Sequence, residues 1–415
     1  MDRFMNWMTK RFAPKVEAFT KNIWVDSIQS AIMVILPMIF IGSLVTLISI
    51  LNNYIPGMPD LTPFTTFSFG LIGIFIAFLT PYFVMQKKER HNIKLIAGAT
   101  GVSLFLMLLK PTIGDDGTIK FILERFGPSG MITALLVGVG VAAVMNLFHR
   151  FSLFKKDTKL PDFIVEWFDF LVPIALLLAI GWVLIYQLHF DIFEMIVSVF
   201  DPLNAISQSL LGFVLFNFIG VVLFSFGVSP WVMSPLWYAI WFPAIEENAA
   251  LVAKGLDPIN INTFETFFSG WVGVGGLGAT LPLVVLFLFA KSQKLKSIGK
   301  ATIVPSLFNI NEPVVYGAPV AFNPILMVPM WINGIVIPVI VYLALDWGLA
   351  DIPAQVFQLW YTPLGLSTYL ISGFHGLILL AFVLIIMFVI WFPFYKVYDL
   401  QELKKEQHAE ETPIV

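Results

Sequence analysis

The run Asn309-Ile310-Asn311-Glu312-Pro313 sets two carboxamides beside a carboxylate, between strongly apolar stretches. An acid in apolar surroundings is costly unless it faces a partner, water or a ligand. The Asn side chains donate and accept hydrogen bonds, and Pro313 interrupts helix. The combination suits a ligand rich in hydroxyls, such as a sugar. The plainer alternative is a structural acid paired inside a helix bundle.

Other groups carry weaker signals. In Gly227-Val228-Ser229-Pro230-Trp231 an apolar helix stops and restarts on Pro, so Ser229 is placed to cap the new helix or to meet a hydroxyl ligand. Glu246-Glu247-Asn248 ends a stretch holding Trp237, Tyr238, Trp241 and Phe242. That cluster reads as an interfacial aromatic belt in preference to a sugar-stacking wall. Gly273-Val274-Gly275-Gly276-Leu277-Gly278 matches the dinucleotide fingerprint in letters. It lacks the strand before it and the βαβ unit around it. Small residues for close packing within an apolar helix are the expectation instead, with Thr280 as a polar contact. His375, in Gly373-Phe374-His375-Gly376, opens the last apolar run and is a candidate for polar lining. No His pair has metal-ligand spacing and no nucleotide-binding P-loop occurs, so neither a metal nor a cofactor is expected.

The elements that must position these residues follow from composition. Hydrophobic residues make up 58% of the 415 and charged residues 12%, about half the charged share of a soluble chain. An all-α integral membrane protein is expected, because the apolar runs reach the length of about 20 residues that spans hydrocarbon. Cysteine is absent, which removes disulfides, thiolate metal sites and a cysteine nucleophile. About ten spans are expected, near 28–52, 66–86, 92–110, 130–148, 171–198, 209–227, 231–247, 271–290, 324–346 and 372–395. The segments 248–270 and 298–322 are broken by Pro, Gly and Asn. Broken backbone at membrane depth is tolerated only where it is buried in protein or lines a polar cavity.

Of the 24 Lys and Arg, all but Lys110, Lys120, Arg125 and Lys254 fall in alternate connections. By the positive-inside rule both termini are then cytoplasmic, and 298–322 is a re-entrant hairpin reached from that side. Three regions are expected: a scaffold half over 1–205, a substrate half over 206–397, and a charged, disordered tail over 398–415.

Several stretches resemble one family when taken together. They are Ser27-Ile28-Gln29-Ser30-Ala31 through Leu36-Pro37 to Gly42-Ser43, Gly275 to Leu281, Lys291 to Lys300, Leu307 through Asn309-Ile310-Asn311-Glu312-Pro313-Val314, and Phe392-Pro393-Phe394-Tyr395-Lys396-Val397. They resemble the membrane component, enzyme IIC, of the lactose/cellobiose family of the bacterial phosphotransferase system, along nearly the whole chain. The resemblance implies ten transmembrane helices plus hairpins, a homodimer formed through the N-terminal half, and a mobile sugar-binding C-terminal half in the bacterial cell membrane. It implies phosphorylation of the sugar 6-hydroxyl by an enzyme IIB that carries phosphate on cysteine. With no Cys here, that IIB is a separate chain docking on the basic loops. The chain would then be the membrane subunit of a sugar phosphotransferase, with a β-glucoside or cellobiose-like disaccharide as substrate, lipid around it and no nucleic-acid partner.

In the family a Gly-Ile/Val-His-Gly motif supplies a His that meets the sugar together with the Glu. The matching stretch here is Gly227-Val228-Ser229-Pro230, so Ser229 stands where the His would be. Serine can hydrogen-bond a sugar but is no base near neutral pH. The expected site is Glu312, as ligand and base for the 6-hydroxyl, with Asn309, Asn311, Ser229, Thr280 and His375 as sugar contacts. The alternative is a non-phosphorylating carrier or sensor on the same fold.

Overall fold

The computed structural model describes residues 18, 21–50, 59–149, 161–228, 230–318 and 320–411. Helices dominate: α1 (Ile23–Ile50), α2 (Thr62–Phe67), α3 (Ile72–Lys87), α4 (Lys94–Leu108), α5 (Met131–Phe148), α6 (Asp162–Trp182), α7 (Ile192–Gln208), α8 (Leu210–Ser225), α9 (Ser234–Ala253), α10 (Leu281–Leu288), α11 (Gln293–Leu307), α12 (Glu312–Gly317), α13 (Pro324–Asp346) and α14 (Leu366–Glu411). A two-residue antiparallel hairpin, β1 (Thr112–Ile113) with β2 (Ile119–Lys120), pairs Thr112 with Lys120. The protein is an all-α integral membrane protein. Its chain divides into two compact units, Phe19–Leu203 and Asn204–Val415.

In the first unit α3 packs against α1, α4 and α5. A Cβ on Gly101 would stand 2.1 Å from the Ala77 carbonyl oxygen, so α3 and α4 meet backbone to backbone. Beyond α6 a π-helical turn (Val183–Gln187) ends the helix. Arg125, 8% exposed, then gathers Asp191 (3.1 Å) and Glu194 (3.0 Å). Burial works against the Asp191 carboxylate, but the Glu194 N–H and the Arg125 guanidinium outweigh it and hold that carboxyl below its usual range.

In the second unit α8 packs on α13, α10 on α11, and α14 on α10 and α13. The buried Asn217 amide donates to the Gly334 carbonyl (2.8 Å), joining α8 to α13. Asn248 organises the turn after α9. Its Nδ2 donates to Asn260 O and Pro353 O, and its Oδ1 accepts from the Ile259 and Asn260 N–H groups.

Among the described residues five helical stretches are long and apolar enough to cross a membrane, or up to six if the bent pair α7–α8 counts as one. This is fewer continuous crossings than the ten expected, and three departures have physical causes. The expected span 171–198 ends at Gln187, where the π-turn and a positive φ at His189 (54°) break it before α7. The expected span 271–290 is helical only over Leu281–Leu288. Its first half is an irregular loop in which Gly275, Gly276 and Gly278 all take positive φ. The glycines serve that loop, and the expectation of helix packing is replaced. The tail is helical to Glu411 instead of disordered, because its carboxylates have partners in the rest of the unit.

Those partners lie at the start of α11. Asp399 accepts from the Lys291 and Ser292 N–H groups (3.0 and 2.9 Å). Glu406 accepts from the Gln293 and Lys294 N–H groups (3.1 and 2.9 Å) and from the Ser292 hydroxyl (2.7 Å). Glu402, 3% exposed, pairs with Lys294 and Lys405. A helix N-terminus leaves backbone donors unsatisfied and carries partial positive charge, and here the last helix of the chain supplies the acceptors.

Candidate functional site

The site is built at the other end of α11. That helix stops at Leu307, and Asn309 turns the chain with φ of 59°, a left-handed conformation that Asn tolerates better than most residues. The chain re-enters helix at Glu312, where Pro313 fits the first turn. The two Asn side chains do different work from that expected of sugar contacts. Asn309 Oδ1 accepts from Gly275 N–H (2.9 Å), and its Nδ2 donates to Phe268 O (3.1 Å) and Trp360 O (2.9 Å). Both amide hydrogens are thereby engaged in tying three segments together.

Asn311 donates to Leu277 O (2.8 Å) and to Thr280 Oγ1 (3.1 Å), so only its oxygen remains for a ligand. Thr280, fully buried, donates in turn to Gly275 O (2.8 Å). It supports Asn311 and is not part of the cavity lining. Gly276 shows why the loop is so rich in glycine. A Cβ there would lie 2.3 Å from Asn311 Cγ, and its φ is 96°.

Glu312 is half-buried and has no hydrogen bond or ion pair among the described residues. It lines a cavity with Asn309, Asn311, Pro230, Trp237, Phe264, Phe268, Leu277 and Trp360. One end is polar and the walls are aromatic. About 30 Å³ of this cavity is open to the centre of a water molecule, room for water and too little for a pyranose ring.

Of the expected residues, the structure brings Asn309, Asn311 and Glu312 to one cavity, with Thr280 behind them. Ser229 lies outside the described residues. His375 is exposed, just past the break in α14 where Ser372 and Gly373 leave helical geometry, and it does not line the cavity.

The aromatic belt is overturned. Trp237, Tyr238, Trp241 and Phe242 are 3, 2, 1 and 0% exposed. Trp237 stacks on Trp241 (5.2 Å, 24°), and Trp241 is fixed by its indole N–H to Asn262 Oδ1 (2.8 Å). Trp237 therefore lines the cavity, and Trp241 packs behind it as support. Phe264, Phe268 and Trp360 also line the cavity, though no motif in the sequence marks them. The first two sit in the broken segment 248–270, whose irregularity was the available signal. Trp360 follows in a stretch without helix, after Pro353 and before Pro363. Among the described residues no three His, Asp or Glu side chains gather as a metal site.

Comparisons with known proteins bear on the family and the fold. Residues 29–334 match the family model described as Phosphotransferase system, EIIC. The chain is 29% identical to the lichenan permease IIC component of Bacillus subtilis (strain 168), over 94% of this chain and 92% of that one. It is 28% identical to the PTS system cellobiose-specific EIIC component of Geobacillus stearothermophilus, over 98% and 97%. Among solved structures, the transporter ChbC, the IIC component from the N,N'-diacetylchitobiose-specific phosphotransferase system, matches with a TM-score of 0.84 and 25% identity, covering 97% of this chain and 99% of that one. The family match runs from α1 into α13, and the fold is shared along nearly all of both chains. This protein therefore belongs to the EIIC sugar permeases of the lactose/cellobiose family of the phosphotransferase system.

Proposed function

We propose that the sugar is a β-linked glucoside or disaccharide of the cellobiose kind, bound in the cavity of the second unit and phosphorylated there by a separate IIB. The observation that carries this is Glu312: a half-buried carboxylate with no partner among the described residues, at the polar end of an aromatic cavity. A β-glucoside has equatorial hydroxyls and two apolar ring faces. Aromatic walls such as Trp237, Phe268 and Trp360 suit those faces, and Glu312 with the Asn311 oxygen suits the hydroxyls. The relatives named for cellobiose and for lichenan point to the same chemical class.

In this reading Glu312 accepts the proton of the 6-hydroxyl. The S–P bond on IIB breaks as the O–P bond to the sugar forms, and the charged product is trapped inside. Phosphoryl transfer rests mainly on positioning and charge stabilisation. Asn309 and Thr280 contribute as the frame that holds Asn311 and the glycine loop. The chain acts as a homodimer through its first unit, in the cell membrane, with both termini cytoplasmic and the IIB docking on the basic loops.

Ser229 in place of the family's His favours a second reading, a carrier or sensor that binds sugar without phosphorylating it. One assay separates the two. Vesicles containing the protein are given phosphorylated IIB and a panel of radiolabelled β-glucosides. Sugar phosphate inside the vesicles is the expected result. Saturable binding with no phosphorylated product from any sugar would reject the coupled mechanism in favour of the carrier.

A further inference from the structure

Glu265 is an acid that takes no part in the proposed chemistry. It opens a π-helical turn (Glu265–Gly270) and is 0% exposed. No Lys, Arg or His forms an ion pair with it among the described residues. Its Oε1 accepts from the Phe357 N–H (2.8 Å) and from Gln358 Nε2 (2.7 Å). Its Oε2 is enclosed and has no hydrogen-bond partner among the described residues. Burying a carboxylate without a cation is unfavourable. π-Turns inside helices recur at functional sites.

What the acid joins is the informative part. Phe264 and Phe268, four residues apart and in ring contact (5.3 Å), flank it in sequence and line the cavity. Phe357 and Gln358 lead directly into Trp360, which lines the same cavity from another segment. That segment, 351–365, has no helix of its own, and beyond the Leu364 N–H to Leu307 O bond (3.3 Å) side-chain ties hold it. Ser269 Oγ donates to Phe357 O (2.9 Å), and Asn309 Nδ2 donates to both Trp360 O and Phe268 O. Glu265 supplies the ties to 357 and 358 from the acceptor side.

We infer that Glu265 is a positioning residue of the sugar site: it holds the 357–360 strap against the π-turn and so sets the spacing between Trp360 and the Phe264–Phe268 wall. This rests on the cavity being the sugar site. The strap is the irregular wall of a cavity that must widen to take a pyranose ring. Its anchor therefore governs how the sugar is gripped, whereas Glu312 meets the sugar itself.

The test measures the Kd of a β-linked disaccharide on purified, folded full-length protein, with hydrogen exchange of the peptide covering 355–362 followed in parallel. Glu265→Ala removes both ties. The expected result is a Kd weakened about tenfold or more, with faster exchange confined to 355–362. Glu265→Gln keeps an oxygen that can accept from the same two donors, and is expected to restore the Kd to within about threefold of wild type. A purely structural acid would lower the yield of folded protein and leave the Kd of the folded molecules unchanged, and that result overturns the inference. A weakened Kd without faster exchange at 355–362 overturns it as well. If Glu265→Ala does not fold, Gln358→Ala removes one tie. A weakening of about threefold is then expected, and no change refutes the proposal. A wild type that binds no sugar of the panel removes the site reading and this inference together. A binding wild type with an unchanged Glu265→Ala removes this inference alone.

Discussion

The two ends of α11 carry carboxylates in opposite circumstances. At its N-terminus Asp399, Glu402 and Glu406 have their oxygens engaged by backbone N–H groups, a serine hydroxyl and two lysines. Just past its C-terminus Glu312 has no such partner among the described residues. All four are acids in a chain poor in charge. The first three act as mortar: their hydrogen-bonding capacity is consumed in fixing a helix end. Glu312 keeps its capacity, and an acid that keeps its capacity in a half-buried cavity is placed for something that comes and goes. Partner count, and not burial, is what sets Glu312 apart, since Glu402 at 3% exposure is more deeply buried than Glu312.

The largest effect should come from the unpartnered acid. Glu312→Gln keeps the shape and removes the charge. Sugar affinity, measured by titration calorimetry, should fall about 100-fold, the worth of a charged hydrogen bond of roughly 2–3 kcal/mol. The melting temperature should change by no more than about 2 °C, since no internal bond is lost. Near-normal binding would place Glu312 with the structural acids.

Asp399→Ala should show the reverse pattern. It strips the acceptor from two backbone donors, a loss of about 2–3 kcal/mol and a fall of several degrees in the melting temperature. Sugar affinity of the folded protein should stay within about threefold of wild type. A collapse of affinity with unchanged melting would reverse the assignment of the two ends.

The smallest effect concerns pH. For Glu402, burial opposes ionisation, but Lys294 and Lys405 outweigh it and hold the carboxyl below the usual value of 4.5. The Ser292 hydroxyl and the N–H groups of Lys294 and Gln293 lower Glu406 likewise. A carboxyl depressed in the folded state binds protons more weakly there than when unfolded. Its contribution is complete above 4.5 and is lost as pH falls through the depressed folded value. Thermal melts taken downward from pH 6 should lose stability below that point. In the Glu402→Gln, Glu406→Gln double variant this part of the slope should flatten. An unchanged slope would assign the acid sensitivity to other carboxyls.

Much of this contrast was legible in the sequence, for reasons that can be traced. Asn309, Asn311 and Glu312 announce themselves because polar side chains in an apolar run must answer to something. What they answer to was not legible. Asn309 is a clamp because Gly275, Phe268 and Trp360 come to it from segments 34 to 51 residues away, and periodicity carries no such information. The Trp237 cluster was misjudged because an aromatic belt and an aromatic cavity wall have the same composition, and only burial separates them. The helical tail was misjudged for a related reason. Asp399, Glu402 and Glu406 fall on one helix face, yet without sight of the α11 terminus that face looks merely solvated. The glycine loop reads as helix in the sequence because its apolar flanks hide the positive-φ positions at Gly275, Gly276, Gly278 and Ala279.

The clasp between α14 and α11 also imposes an order on synthesis. The Lys291 N–H waits for Asp399, 108 residues later. At translation rates of about 5–20 residues per second that interval is roughly 5–20 s. For most of it the segment bearing Glu312 is already made, while the helix leading into it lacks these acceptors. The helix that leads into the candidate cavity thus gains its N-terminal acceptors only once α14 has been made. A stop codon placed soon after the final apolar run, far in sequence from every cavity residue, would yield a protein that inserts and yet never closes that clasp.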